Sequence, residues 1–181
     1  MEPDARMFVN SIASVSLTDE DWADFAAKHK ALLPKLVVEI TEEEQMDERE
    51  LERKRHAPGA AGIFALDDYG SGYSNGNSLL TIAPRYVKVD IAIIRHIDTD
   101  HDKQQFLKTL IDYARPRGIL VLAEGVETPA ELRKVLEMGV DLLQGYCLAR
   151  PAAEPVAISE ESLRIIREMA DHRAEREEEW V

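Results

Sequence analysis

Phe64-Ala65-Leu66-Asp67-Asp68-Tyr69-Gly70-Ser71-Gly72-Tyr73-Ser74-Asn75-Gly76-Asn77 is the stretch on which the reading of this chain turns. The apolar run from Ile63 to Leu66 predicts a short buried strand, and it stops at two adjacent carboxylates. Neighbouring side chains on a strand point to opposite faces, so Asp67 and Asp68 can aim at one spot only where the backbone begins to turn. Two converging carboxylates repel unless a proton or a cation lies between them. Gly70, Gly72 and Gly76 open backbone angles closed to other residues. The stretch therefore predicts a metal or acid/base site under a glycine loop.

Working outward, other apolar runs end in the same way. Met7-Phe8-Val9 stops at Asn10, and Leu36-Val37-Val38 at Glu39. Tyr86 to Asp90 carries Lys88, Gly118 to Ala123 runs into Glu124 and Glu127, and Asp141 to Tyr146 contains Gln144. Helical segments separate these runs. Thr18 with Asp21 predicts a capped helix to about His29, with Trp22, Phe25 and Ala26 inward. A charged, weakly docked helix is expected from Glu43 to His56, and a short one over Leu79–Ile82 before Pro84. Phe106, Leu107, Leu110, Ile111 and Ala114 recur at helical spacing, and Thr128-Pro129-Ala130-Glu131 opens a helix that Gly139 closes. Ser159 is expected to cap a last helix to about Ala170, followed by a fraying charged tail from Arg173.

Strands without polar alternation, separated by helices, are the pattern of parallel strands buried on both faces. A barrel of such strands gathers its C-terminal ends into one ring, where active sites are built. Asn10, Glu39, Asp67, Asp68, Lys88, Glu124, Glu127 and Gln144 are the expected members of that ring. Its ligands are all oxygen, which suits Mg²⁺ or Mn²⁺ rather than zinc. Several carboxylates in one ring can hold two such ions, the usual arrangement for cutting a phosphodiester.

Composition narrows the alternatives. At 181 residues with 45% apolar content, the chain can bury one core. A net charge of −13 argues against a nucleic-acid polymer as partner. Cys147 alone forms no intrachain disulfide, no run reaches membrane-spanning length, and no export signal is evident, so a cytoplasmic setting is expected. The histidines at 29, 56, 96, 101 and 172 read as surface residues. Gly70-Ser71-Gly72 matches neither a dinucleotide fingerprint nor a P-loop.

Six segments then resemble one family in order and at close to its spacing. They are Phe8-Val9-Asn10, Glu39 to Glu42, Asp67 to Ser74, Pro84 with Val87 to Asp90, Ala123 to Thr128, and Gln144-Gly145-Tyr146. Together they resemble the EAL domain, the cyclic-di-GMP phosphodiesterase. The resemblance implies a TIM-like (β/α) barrel with one reversed strand, and hydrolysis of cyclic di-GMP to linear pGpG. It implies that Asn10, Glu39 and Asp67 bind metal and that Asp68 helps hold the second ion. Lys88 matches the lysine near the attacking water, and Glu124 the general base or water ligand. Glu127 and Gln144 match supporting residues, Asp90 lies in the Lys88 motif, and Glu42 matches the brace of the glycine loop.

The Glu-Ala-Leu run that names the family is absent, and Asn75-Gly76 stands where the family usually has Ser-Leu. The expectation is a barrel incomplete at the N-terminus, over residues 1–171, with 172–181 as a tail. An open strand edge predicts homodimers or larger oligomers, and an upstream sensor or diguanylate cyclase domain is a further expected partner. Two other functions compete. One is a degenerate module that binds cyclic di-GMP or a protein without turnover. The other is a barrel enzyme using Lys88 to abstract a proton beside a carboxylate.

Overall fold

A computed structural model describes residues 5–10, 18–41, 63–71 and 77–178. Glu42, the helix expected over Glu43–His56 and residues 72–76 of the glycine loop lie outside the described residues. The chain divides into two compact units, 1–87 and 88–181, with the division inside one strand.

In the first unit, β1 (Met7–Asn10), β2 (Leu36–Thr41) and β3 (Phe64–Tyr69) pair in parallel, in that order. Parallel neighbours need a crossover, and α1 (Asp19–Lys28) with a 3₁₀ turn at Leu33–Lys35 supplies the one between β1 and β2. The Thr18 cap forms as expected: the Asp21 amide donates to Thr18 Oγ1 at 3.1 Å, and Asp21 Oδ2 accepts from the Thr18 amide at 3.1 Å. Phe25 and Ala26 are half-buried. Val37, Ile40, Ala65 and Leu66 are fully enclosed, so β2 and β3 are covered as the apolar runs predict. β1 departs from that expectation, with Met7 38% and Val9 40% exposed. It pairs with β2 at the edge of this sheet, which accounts for the exposure. A short helix, α2 (Asn77–Ile82), precedes β4 (Tyr86–Val89). The Tyr86 ring meets Phe8 edge-on at 5.2 Å.

In the second unit, Asp90 caps the single turn α3 (Ile91–Ile94), accepting from the Ala92 amide at 2.8 Å. Asp100 caps α4 (His101–Ala114) in the same way, and a 3₁₀ turn at Arg115–Arg117 leads to β5 (Leu120–Ala123). α5 (Pro129–Met138) has the predicted Thr128–Glu131 capping box, and Gly139 ends it at φ 91°. β5 pairs in parallel with β6, but β6 is only Leu142–Leu143, shorter than the expected strand over 141–146. The ladder gives way because Gly145 redirects the backbone. The Val126 amide donates to the Gln144 carbonyl, and the Cys147 amide to the Val126 carbonyl, each at 3.0 Å.

The last helix, α6 (Glu160–Glu178), starts at the predicted cap, where the Ser162 amide donates to Ser159 Oγ at 3.2 Å. It runs eight residues past the expected end at Ala170 and takes in most of the segment read as a fraying tail. Nothing between Asp171 and Glu178 is a helix breaker, and Ala, Glu and Arg there are strong helix formers. No helix among the described residues is long and apolar enough to cross a membrane.

Candidate active site

Strand register places the acidic residues of the first unit. Asn10 is in register with Glu39, and Glu39 with Ala65, so these side chains share one face of the sheet. Asp67, two residues beyond Ala65, returns to that face about 6.6 Å further along. The longer Glu side chain on the lower level suits the shorter Asp on the upper one. Glu39 is 7% exposed and Asp67 8%, so both carboxylates are taken out of bulk water. Asn10, at the edge, is exposed.

At Asp68 the backbone swings to φ 54°, a left-handed conformation uncommon outside glycine, in which Asp is one of the tolerated residues. The turn that lets adjacent carboxylates share a direction is therefore present. The Asp68 amide donates to Asp67 Oδ1 at 3.1 Å, and a carboxylate oxygen of Asp67 lies within 4.8 Å of one of Asp68. The chain then turns through Gly70 at φ 98°, with the Ser71 amide donating to the Asp68 carbonyl at 3.2 Å. Two carboxylates this close are stabilised by a cation. The donors are carboxylate and amide oxygens, a set that fits a hard divalent ion.

The second unit assembles the other candidates. Lys88 is 6% exposed between Val87 and Val89, and its Nζ lies 2.9 Å from Glu124 Oε1. It does not snorkel to water. The Glu124 amide donates to the Val89 carbonyl at 3.0 Å, and the Gln144 amide to the Ala123 carbonyl at 2.9 Å. These bonds set the ends of β4, β5 and β6 level and put Lys88, Glu124 and Gln144 at that end.

Between Glu124 and Val126, Gly125 sits at φ 65°, and a Cβ there would lie 2.3 Å from Ile91 Cγ1. At Gly145 a Cβ would lie 2.1 Å from the Val126 carbonyl oxygen. Backbone thus passes where no side chain fits, one residue after Glu124 and one after Gln144. Glu127 is exposed and pairs with Arg95, Oε2 to Nη2 at 2.9 Å. Gln144 is exposed, and Asp90 is half-buried in its role as a helix cap. His29, His96, His101 and His172 are exposed, as expected, and His56 lies outside the described residues.

Two residues escaped the sequence reading. Arg95 carried no motif. Glu131 is legible in the sequence only as a cap, whereas the residue is 2% exposed and its carboxylate accepts three backbone N–H bonds.

The profile of the EAL domain family matches residues 2–151, most of the chain. The chain belongs to the EAL family. It is 34% identical over 117 residues to the probable cyclic di-GMP phosphodiesterase PdeN of Escherichia coli K12, covering 64% of this chain and 23% of that protein. Among solved structures it resembles a standalone versatile EAL protein from Vibrio cholerae O395 in its c-di-GMP bound form. The TM-score is 0.75 at 29% identity, over 89% of this chain and 71% of the other. It also resembles the manganese/cy-diGMP complex of Klebsiella pneumoniae BlrP1 at pH 9.0, with TM-score 0.74 and 27% identity over 83% of this chain and 40% of that one. The fold is thus an incomplete TIM-like barrel of the EAL type, and the chain spans about a quarter of the length of that curated relative.

Proposed function

We propose that this EAL chain hydrolyses cyclic di-GMP to linear pGpG, with Asn10, Glu39, Asp67 and Asp68 binding two divalent ions and Lys88 and Glu124 acting on the water. The observation that carries this reading is the buried Lys88–Glu124 pair in a chain whose other strands carry Asn10, Glu39 and Asp67 in their C-terminal halves. Two Mg²⁺ or Mn²⁺ ions on those four residues would neutralise phosphate charge and lower the pKa of water in the site. Such neutralisation matters because the protein itself carries a charge of −13 and the substrate is a dianion.

Lys88 holds Glu124 as a carboxylate, and Glu124 takes the proton of the attacking water as the new P–O bond forms. The P–O bond to the ribose 3′ oxygen breaks, and that oxygen is protonated from solvent. The Lys88 ammonium stabilises charge that develops on the phosphoryl oxygens. Glu127, Gln144 and Asp90 support the loops around these groups, and Glu42 braces the glycine loop. The relative that is a probable cyclic di-GMP phosphodiesterase, and the neighbours solved with c-di-GMP bound, support the substrate class. A cytoplasmic setting and an upstream sensor or diguanylate cyclase partner belong to the same proposal.

The test is Asp67→Asn. The parent chain should show metal-dependent hydrolysis and a rise in melting temperature with Mn²⁺, and both should vanish in the variant. Unchanged turnover in this variant refutes the assignment. Calorimetry with cyclic di-GMP, with and without Mn²⁺, distinguishes a binding module, which takes up the nucleotide without cutting it.

A further inference from the structure

The loop 124–128 joins β5 to α5 and carries the candidate acids Glu124 and Glu127. Its start is fixed by the Glu124 amide on Val89 and by the Lys88 ion pair. Its far end rests on Glu131. A capping box needs one bond from the glutamate back to the cap residue, here the Thr128 amide at 3.0 Å. Glu131 makes two more. The same Oε2 accepts from the Glu127 amide at 3.0 Å, and Oε1 accepts from the His96 amide at 2.9 Å, across 35 residues of sequence.

The segment receiving that second oxygen is itself built to hold a shape. His96 sits at φ 63°, a left-handed conformation that a non-glycine residue keeps only where its surroundings enforce it. Lys103 Nζ donates to the carbonyls of Ala92 and Arg95, each at 2.7 Å, and Gln104 Nε2 to that of Ile97 at 2.8 Å. From this braced turn Arg95 reaches the Glu127 carboxylate.

We propose that Glu131 and Arg95 form a clamp that positions Glu124 and Glu127 for the reaction. The clamp rests on the phosphodiesterase reading, and both of its members are positioning residues. Only two residues, Gly125 and the fully enclosed Val126, separate Glu124 from the clamped end. Release of Glu127 and Thr128 is therefore transmitted to the Glu124 side chain. A glutamine at 131 keeps one oxygen and turns the other into a donor facing an N–H, so it can satisfy one side of the clamp and not both.

The experiment compares Glu131→Ala, Glu131→Gln and Arg95→Ala in the full chain, using hydrolysis of cyclic di-GMP with Mn²⁺ and amide hydrogen exchange. For Glu131→Ala, kcat should fall about 30-fold, the scale of a small displacement of a catalytic group. KM should stay within about threefold, because ground-state binding is untouched. Glu131→Gln should fall between. The Glu127 and His96 amides should lose protection while those from Leu132 to Met138 keep theirs. If α5 frays and the folded fraction keeps its kcat, Glu131 is only a helix cap and the proposal is overturned. If the parent chain itself fails to hydrolyse the nucleotide, the phosphodiesterase reading falls, and exchange decides the clamp alone. Equal protection of Glu127 and His96 in parent and Glu131→Ala chains would overturn it.

Discussion

Lys88 and Glu124 are nearly removed from water, at 7% and 14% side-chain exposure, and at 2.9 Å each supplies counter-charge to the other. Removing one partner of such a pair leaves a buried charge and costs about 3 kcal/mol. Lys88→Met should lose that stability in urea denaturation together with hydrolysis. Adding Glu124→Leu should recover most of the stability and none of the activity. Equal stability of the single and double variants would show that the pair is not mutually dependent. Glu131 makes a second prediction at this scale. Burial works to raise its pKa, but hydrogen bonds from the His96, Glu127 and Thr128 amides, with Thr128 Oγ1, outweigh burial and hold it below the usual 4.5. A depressed carboxylate stabilises the fold above its unfolded pKa, and that stability is lost as pH falls through its folded pKa. The deficit of Glu131→Gln should therefore be full at neutral pH and shrink as the acid range is entered. A constant deficit would mean that ionisation of Glu131 plays no part.

Among the elements, those whose ends carry local chemistry were readable in advance. Thr18 with Asp21, Thr128 with Glu131, Gly139 and Ser159 each act within one turn of their own helix. β6 is shorter than its apolar run predicts because its length depends on Val126, whose amide bonds the Gln144 carbonyl and whose carbonyl bonds the Cys147 amide. α6 outruns its predicted end because the charged composition that suggests a fraying tail also forms good helix. Gly145→Ala should cost about 3 kcal/mol, since the Val126 backbone that a Cβ would strike cannot step aside. The cost of Gly125→Ala should shrink, with the strain of φ 65° left over, once Ile91→Gly is added, because there the obstacle is a side chain whose Cγ1, Cδ1 and Cβ lie 2.3, 2.5 and 2.7 Å from the new Cβ. Denaturant midpoints of the single and double variants measure both. A silent Gly145→Ala would contradict the described path of the chain.

Over the whole molecule, β1 is, among the described elements, the one with most to gain from a second copy, since Met7 and Val9 lie exposed on an edge strand. Sedimentation velocity should show concentration-dependent association that Val9→Lys weakens. A chain that stays monomeric at all concentrations would rule out pairing through this edge. The alternation of strands and capped helices, and the polar residue closing each apolar run, were already determined by the sequence, because they rest on propensity and periodicity within a few residues. So was the expectation that any bound ion would meet oxygen ligands, since it follows from residue type. Tertiary structure alone decided that Lys88 turns to Glu124, that Gly125 and Gly145 are needed for close approach, and that Glu131 spans to His96. Those facts depend on residues roughly 20 to 36 positions apart meeting within hydrogen-bonding or van der Waals range, and no local pattern encodes such a meeting.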